Sequence, residues 1–157
     1  MRRKFPGLLL AAAGVVTLAG CGGPVGPPEV TFFADGETAV TGPFQFCGAQ
    51  MQDCRVDENA AARLKVRPGK PVQVSLPSEI VETPWVAHIQ AVDPAGRPLP
   101  IEPQFYPQNS RHAITASAGP ADQIMVVEIQ QLTGTVDPDG NIVVDVRARW
   151  TLQIEPA

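Results

Sequence analysis

The chain has 157 residues, of which 17 are Pro and 14 are Gly, a share below the level at which low complexity is the default. With 18 % charged and 44 % hydrophobic residues the composition excludes wholesale disorder. Length and charge also exclude a polytopic membrane protein, a long coiled coil and a nucleic-acid binder driven by bulk positive charge, and they predict one folded domain.

Arg2, Arg3 and Lys4 form a positive cluster, and Leu8 to Ala19 carries no charge. This pattern is an export signal; the apolar run falls short of the roughly 20 residues of a membrane-spanning helix. Its ending, Leu18-Ala19-Gly20-Cys21, resembles a bacterial lipobox. The resemblance implies that the Cys21 thiol takes a diacylglycerol group, that residues 1–20 are removed and that Cys21 begins the mature chain. An ordinary signal peptide, or an uncleaved anchor with a chance Cys, is the plainer alternative. On the lipobox reading the protein is extracytoplasmic, anchored by lipid to the outer face of the cytoplasmic membrane. The mature chain keeps nine Lys and Arg against sixteen acidic residues, a net charge of −7. Acyl chains, not a basic surface, must then make the attachment.

Residues 21–29 follow as a lipidated Cys and a Gly/Pro-rich tether. Gly22 to Glu29 can make neither helix nor ladder, because Pro lacks the N–H and Gly weakens order. At about 3.1 Å per residue it is expected to act as a half-extended spacer.

The folded part, residues 30–157, reads as strands. Val30 to Phe33 opens it, and a further strand is expected near Phe44 to Cys47. With Cys21 lipidated, Cys47 and Cys54 remain as a pair in a compartment where disulfides persist. A redox-active or metal-binding pair is the alternative, although the spacing is not Cys-x-x-Cys and no His lies near. Asp57 to Leu64 is the one helical candidate: Asp57 can cap it and Ala60 to Ala62 favour helix. Leu64 and Val66 form a short apolar pair, turned by Arg67-Pro68-Gly69-Lys70 into a strand over Pro71 to Leu76. Ser75 to Trp85 is expected to be a loop. Trp85 to about Val92 is a strand with Trp85, Ala87, Ile89 and Ala91 inward and His88 outward. Arg111 to Ser117 is a short strand containing Ile114. Gln123 to Leu132 turns Met125, Val127 and Ile129 to one face. Asp137-Pro138-Asp139-Gly140-Asn141 is hairpin chemistry. Ile142 to Ile154 alternates strictly, with Ile142, Val144, Val146, Ala148, Trp150, Leu152 and Ile154 predicted on one buried face.

Seven or eight strands with turn signals between them, and one short helix, predict an all-β antiparallel sandwich. The order resembles an immunoglobulin-type domain: Pro71 to Leu76 as second strand, Trp85 opening the third, and the last two segments as the final hairpin. Val74 and Ile129 lie near the positions where antibody domains carry their inter-sheet cysteines, so the antibody family is not implied. Across the lipobox, Phe44–Cys54, Arg67 to Ile80, Thr83-Pro84-Trp85 and Glu128 to Gln131, the chain resembles a group of uncharacterised actinobacterial lipoproteins. That resemblance implies location and fold and lends nothing to mechanism.

No nucleophile elbow, zinc-protease helix or phosphate-cradling loop occurs. His88 and His112 read as surface residues, and Asp137, Asp139 and Asn141 as turn residues, because a calcium loop needs Gly and Glu where Ile142 and Ala148 stand. Arg147 and Arg149 read as a solvated face. The candidate contact is the loop holding Ser78, Glu79, Glu82, Thr83 and Pro84, at the end of the sandwich where such domains place recognition; a mere connection is the alternative. The expected function is a non-enzymatic envelope lipoprotein that binds a protein, a peptide or an envelope component. No cofactor, metal or nucleic acid is expected. A small hydrolase with an unrecognised site, or a purely structural role, are the alternatives.

Overall fold

The computed structural model describes residues 26–157; the export signal and Cys21 lie outside the described residues. Two sheets pack face to face. The smaller contains β1 (Val30–Ala34), β2 (Glu37–Thr41), β6 (Val72–Ser75) and β9 (Ala113–Ala116), in the order β2-β1-β6-β9. The larger contains β3 (Gln45–Phe46), β4 (Arg55–Val56), β5 (Ala62–Val66), β7 (Trp85–Val92), β8 (Gln104–Tyr106), β10 (Gln123–Val136) and β11 (Ile142–Pro156). Its order is β4-β3-β11-β10-β7-β8, and β5 runs parallel to the C-terminal half of β11. The expected sandwich is therefore present with the immunoglobulin-type partition. The second-strand equivalent β6 lies in one sheet. The Trp85 strand and the final hairpin lie in the other, with a parallel strand closing the edge of β11. Segments β2 to β4 are additional and sit between β1 and β5.

Period-two burial builds the core. Val30, Phe32, Val72, Val74 and Ile114 face inward from the small sheet and meet Trp85, Ile129, Trp150 and Leu152 from the large one. The outward side of the small sheet is correspondingly regular. One cross-strand row is Thr38, Phe33, Gln73 and Thr115. The next is Val40, Thr31, Ser75 and Ala113.

Three expectations need correction. Asp57 to Leu64 is not helical. Asp57 accepts the Asn59 N–H at 3.0 Å and makes a tight turn. Ala62–Val66 then goes to β5, because burying Leu64 and Val66 against β11 outweighs local helix preference. The helix is instead α1 (Ser78–Val81), a single turn whose Ile80 and Val81 are buried. Met125 is only half-buried, because an irregularity between Ile124 and Val126 turns Ile124 into the core in its place. Ile142 and Val144 are 78 % and 65 % exposed, not core. On β11 only Ala148, Trp150, Leu152 and Ile154 are buried, because a register shift opposite Gln131 and Leu132 sets Val146, Val144 and Ile142 across from Leu132, Gly134 and Val136. The hairpin outruns its neighbours, since β7 ends opposite Gln131 and β3 reaches only Ala148 and Arg149.

Candidate functional site

One concavity of the described residues is a groove of about 970 Å³. One wall is the N-terminal segment Gly26 to Pro28, and another is β2 with the turn after it. The remainder comes from the β3–β4 segment, Glu79 and Arg147. Its floor is apolar where Val40, Phe46 and Val56 line it; Val40 and Val56 are 55 % and 61 % exposed. Asp53, Arg55, Asp57, Glu79 and Arg147 supply charge of both signs.

Each wall is held in place. The tether does not hang free at its end: the Trp150 indole Nε1 donates to the Pro28 carbonyl at 2.9 Å. Cys47 and Cys54 are joined as a disulfide that closes the β3–β4 segment. Cys47 is fully buried and Cys54 exposed. Arg147 donates from Nε to the Cys47 carbonyl at 3.1 Å, and its guanidinium carbon lies 5.4 Å from the centre of the Phe46 ring. This cation–π placement holds Arg147 beside Phe46 in the groove's lining.

The predicted contact loop is a braced corner. The Gln131 amide donates to the Glu79 carbonyl at 2.8 Å and to the Ile80 carbonyl at 3.3 Å. The Asn109 N–H donates to the Val81 carbonyl and the Leu132 N–H to the Pro84 carbonyl. Ser78, Glu79, Glu82 and Pro84 are exposed, and Thr83 is half-buried. Of these five, Glu79 lines the groove; Ser78, Glu82, Thr83 and Pro84 do not. The groove's other contributors are spread from residue 26 to residue 147, and only Arg147 carried a sequence signal, as part of a charged stripe. Its stripe partner Arg149 is drawn elsewhere, with Nε 3.9 Å from a Glu128 carboxylate oxygen.

The histidines are separated by topology. His88 is half-buried on β7 of the large sheet, and His112 is exposed just before β9 of the small one. Among the described residues no group of three His, Cys, Asp or Glu side chains is placed to hold a metal ion.

Fold and groove define a small all-β domain of immunoglobulin-type arrangement with an open groove walled by its own N-terminal segment. The chain belongs to the family described as protein of unknown function DUF2771, whose model matches residues 25–155. It is similar to uncharacterised proteins of Mycobacterium tuberculosis and Mycobacterium bovis. Each is 27 % identical over 129 residues, covering 81 % of this chain and 77 % of the relative. No solved structure matches the chain.

Proposed function

We propose that the protein is a non-enzymatic cell-envelope lipoprotein, anchored through Cys21, whose groove holds an extended segment of a partner protein at the membrane surface. One observation carries this reading: the chain that leads from Cys21 is itself a wall of the groove. Four residues lie between Cys21 and Gly26, and the five steps from one to the other reach at most about 18 Å. A lipidated Cys21 therefore keeps the groove close to the bilayer. The lining selects the ligand class. Five charged side chains make a poor bed for an acyl chain, because a charge facing hydrocarbon loses its hydration. Exposed Val, Phe and Pro between carboxylates and guanidiniums suit a polypeptide with apolar and charged residues in alternation. Proline on the receptor side lowers the entropy cost of ordering the wall.

The test uses a photo-crosslinking residue at Val56 in intact cells, with the same residue at Val144 as control. An adduct specific to Val56, present in the anchored protein and lost in Cys21→Ala, is the expected result. Labelled fatty acid is expected in the wild type and not in Cys21→Ala, which should appear in the medium. Equal labelling of the two forms removes the anchor; identical adducts at Val56 and Val144 remove the groove.

A further inference from the structure

We infer that the outer face of the small sheet, with the cleft at its β9 edge, is a second binding site, and that its ligand is a glycan strand of the cell wall. The cleft lies across the small sheet from the groove, since β2 borders the groove and β9 forms the opposite edge; the face between them meets the groove at Val40. At ordinary strand spacing the four strands span about 14 Å.

None of the eight outward side chains of this face carries a charge, in a protein where 18 % of residues do. Four of them bear hydroxyls and one a carboxamide, and the Phe33 ring is 42 % exposed in their midst. The edge strand β9 has no charged residue either, and among the described residues nothing pairs with its outer side. Edge strands are ordinarily guarded by charge or proline. An unguarded, uncharged edge beside an uncharged face indicates a surface that is covered in use.

The cleft at that edge, about 550 Å³, specifies the ligand further. It is lined by Gln73, Gln104, Tyr106, Arg111 and Thr115 among others. The Tyr106 hydroxyl donates to Gln104 Oε1 at 2.7 Å, so the Gln104 amide offers its NH₂. One face of the Tyr106 ring lies on Trp85, with ring centres 4.1 Å apart. The part of Tyr106 that lines the cleft is then its other face or its edge. Among the described residues Arg111 has no carboxylate within salt-bridge distance.

Hydroxyls and carboxamides both donate and accept hydrogen bonds, as sugar hydroxyls and acetamido groups require. Phe33 and Tyr106 offer apolar rings to the C–H faces of sugar rings. A single guanidinium is too little positive charge to hold a polyanion. It matches one carboxylate per repeating unit, as on a strand of alternating N-acetylated sugars whose lactyl acids are free because the stem peptides have been cut away; where the peptide is attached, that acid is a neutral amide. The rows of Thr, Ser and Gln lack the large aromatic and Arg anchors that dominate protein interfaces. The envelope location proposed above supplies the ligand's presence; the chemistry stands without it.

The test is binding of the full mature chain, in detergent, to peptidoglycan sacculi stripped of attached polymers and treated with an amidase, which cuts the stem peptides away and frees the lactyl carboxylates. A parallel titration uses chitohexaose, which has the acetamido sugars without the carboxylate. Both are expected to bind. Gln73→Glu with Thr115→Glu, or Phe33→Ser, is expected to weaken both by about tenfold or more, as loss of one or two good contacts does. These positions are exposed, so thermal midpoints serve as the folding control. Arg111→Ala is expected to weaken sacculi alone. Val56→Asp in the groove is expected to leave both unchanged, which separates failure of this site from failure of the groove. Binding to neither polymer, binding that survives the folded face variants, or equal binding to poly-glutamate would overturn the proposal.

Discussion

The Trp150 indole N–H and the Pro28 carbonyl, 122 residues apart, meet at 2.9 Å and close the N-terminal segment onto the last strand. Trp150 is fully buried, so its ring belongs to the core while its nitrogen serves the tether. Trp150→Phe removes the donor and part of the ring. It is expected to lower stability by about 1 to 3 kcal/mol. Limited proteolysis should show faster cutting within residues 26–29. A variant with a lowered midpoint and unchanged cutting there would mean that something else holds the tether.

Gln131 is 1 % exposed and stands on the inward parity shared by Val127 and Ile129. It has no apolar role. Its amide satisfies two carbonyls of a one-turn helix too short to satisfy them itself. Gln131→Leu keeps the volume, leaves the Glu79 carbonyl without its donor and leaves the Ile80 carbonyl with only the Thr83 hydroxyl at 3.4 Å, at a cost of about 1 to 3 kcal/mol. Urea denaturation measures the loss. Amide exchange should localise it to residues 79–82, and crosslinking from Val56 should fall as the Glu79 wall loosens.

The disulfide closes a short loop between Cys47 and Cys54. In the chain-entropy model a loop of that size is worth about 2–3 kcal/mol. The double variant Cys47→Ser, Cys54→Ser is expected to lose that much. Cys54→Ser alone should lose slightly less, because it leaves an apolar thiol rather than a hydroxyl at the buried position 47. Calorimetry with and without reductant checks both. No shift on reduction of the wild type would show that the loop is held by other contacts.

Asp35 is gripped by Arg67, whose Nε reaches Oδ2 at 2.7 Å and whose backbone N–H reaches the same atom at 3.2 Å. The Arg67 side-chain hydrogen bonds hold the Asp35 carboxyl at a pKa of about 2, from an ordinary 3.8. A carboxyl with a lowered folded-state pKa binds fewer protons folded than unfolded. Its stabilisation is complete above about pH 4 and is lost as pH falls toward 2. Asp93 is shifted down too, by hydrogen bonds from the Arg97 backbone and side chain, and Asp137 by hydrogen bonds from Asn141. The thermal midpoint should therefore drop steeply below pH 4. Asp35→Asn should be less stable than wild type at pH 6 and converge with it near pH 2. A constant difference across that range would remove Asp35 from the acid transition.

Much of the sandwich is legible in the sequence, because alternation reports burial directly: Val72 and Val74, Trp85, Ala87, Ile89 and Ala91, and Ala148, Trp150, Leu152 and Ile154 all lie where their parity puts them, while Val86 is buried against its parity. The first hairpin was also readable and is absent from the expected strands. Asp35-Gly36 is a two-residue turn with both φ angles positive, which Asp and Gly tolerate and the strand twist favours. The short strand β8 is masked by Pro103 and Pro107 on either side, which argue against a central strand but permit an edge one. Of the groove only Glu79 and Arg147 carry a signal in the sequence. Its walls come from segments as distant as Pro28 and Arg147, and the Trp150 hydrogen bond to Pro28 and the pairing of β3 with β11 bring them together.

The far end of the final hairpin shows the limit of parity. Ile142, Val144 and Val146 continue the sequence alternation of Trp150 and Leu152, yet the register shift opposite Gln131 and Leu132 sets them across from Val136, Gly134 and Leu132, off the face of the core, and among the described residues no third strand or opposing sheet lies over the hairpin's tip. Alternation identifies which residues share a face; whether a face is covered depends on how far the neighbouring strands extend. The energetic consequence is specific. Ile142→Thr and Val144→Thr remove little buried area and keep a β-branched side chain, so each should change stability by no more than about 0.5 kcal/mol. Leu152→Ala and Ile154→Ala, same parity on the same strand, should cost about 2 to 5 kcal/mol each, because they open cavities between the sheets. Equilibrium denaturation of the four variants measures the gradient along one strand. Costs at Ile142 or Val144 comparable to Leu152 would mean that the hairpin tip is packed in solution.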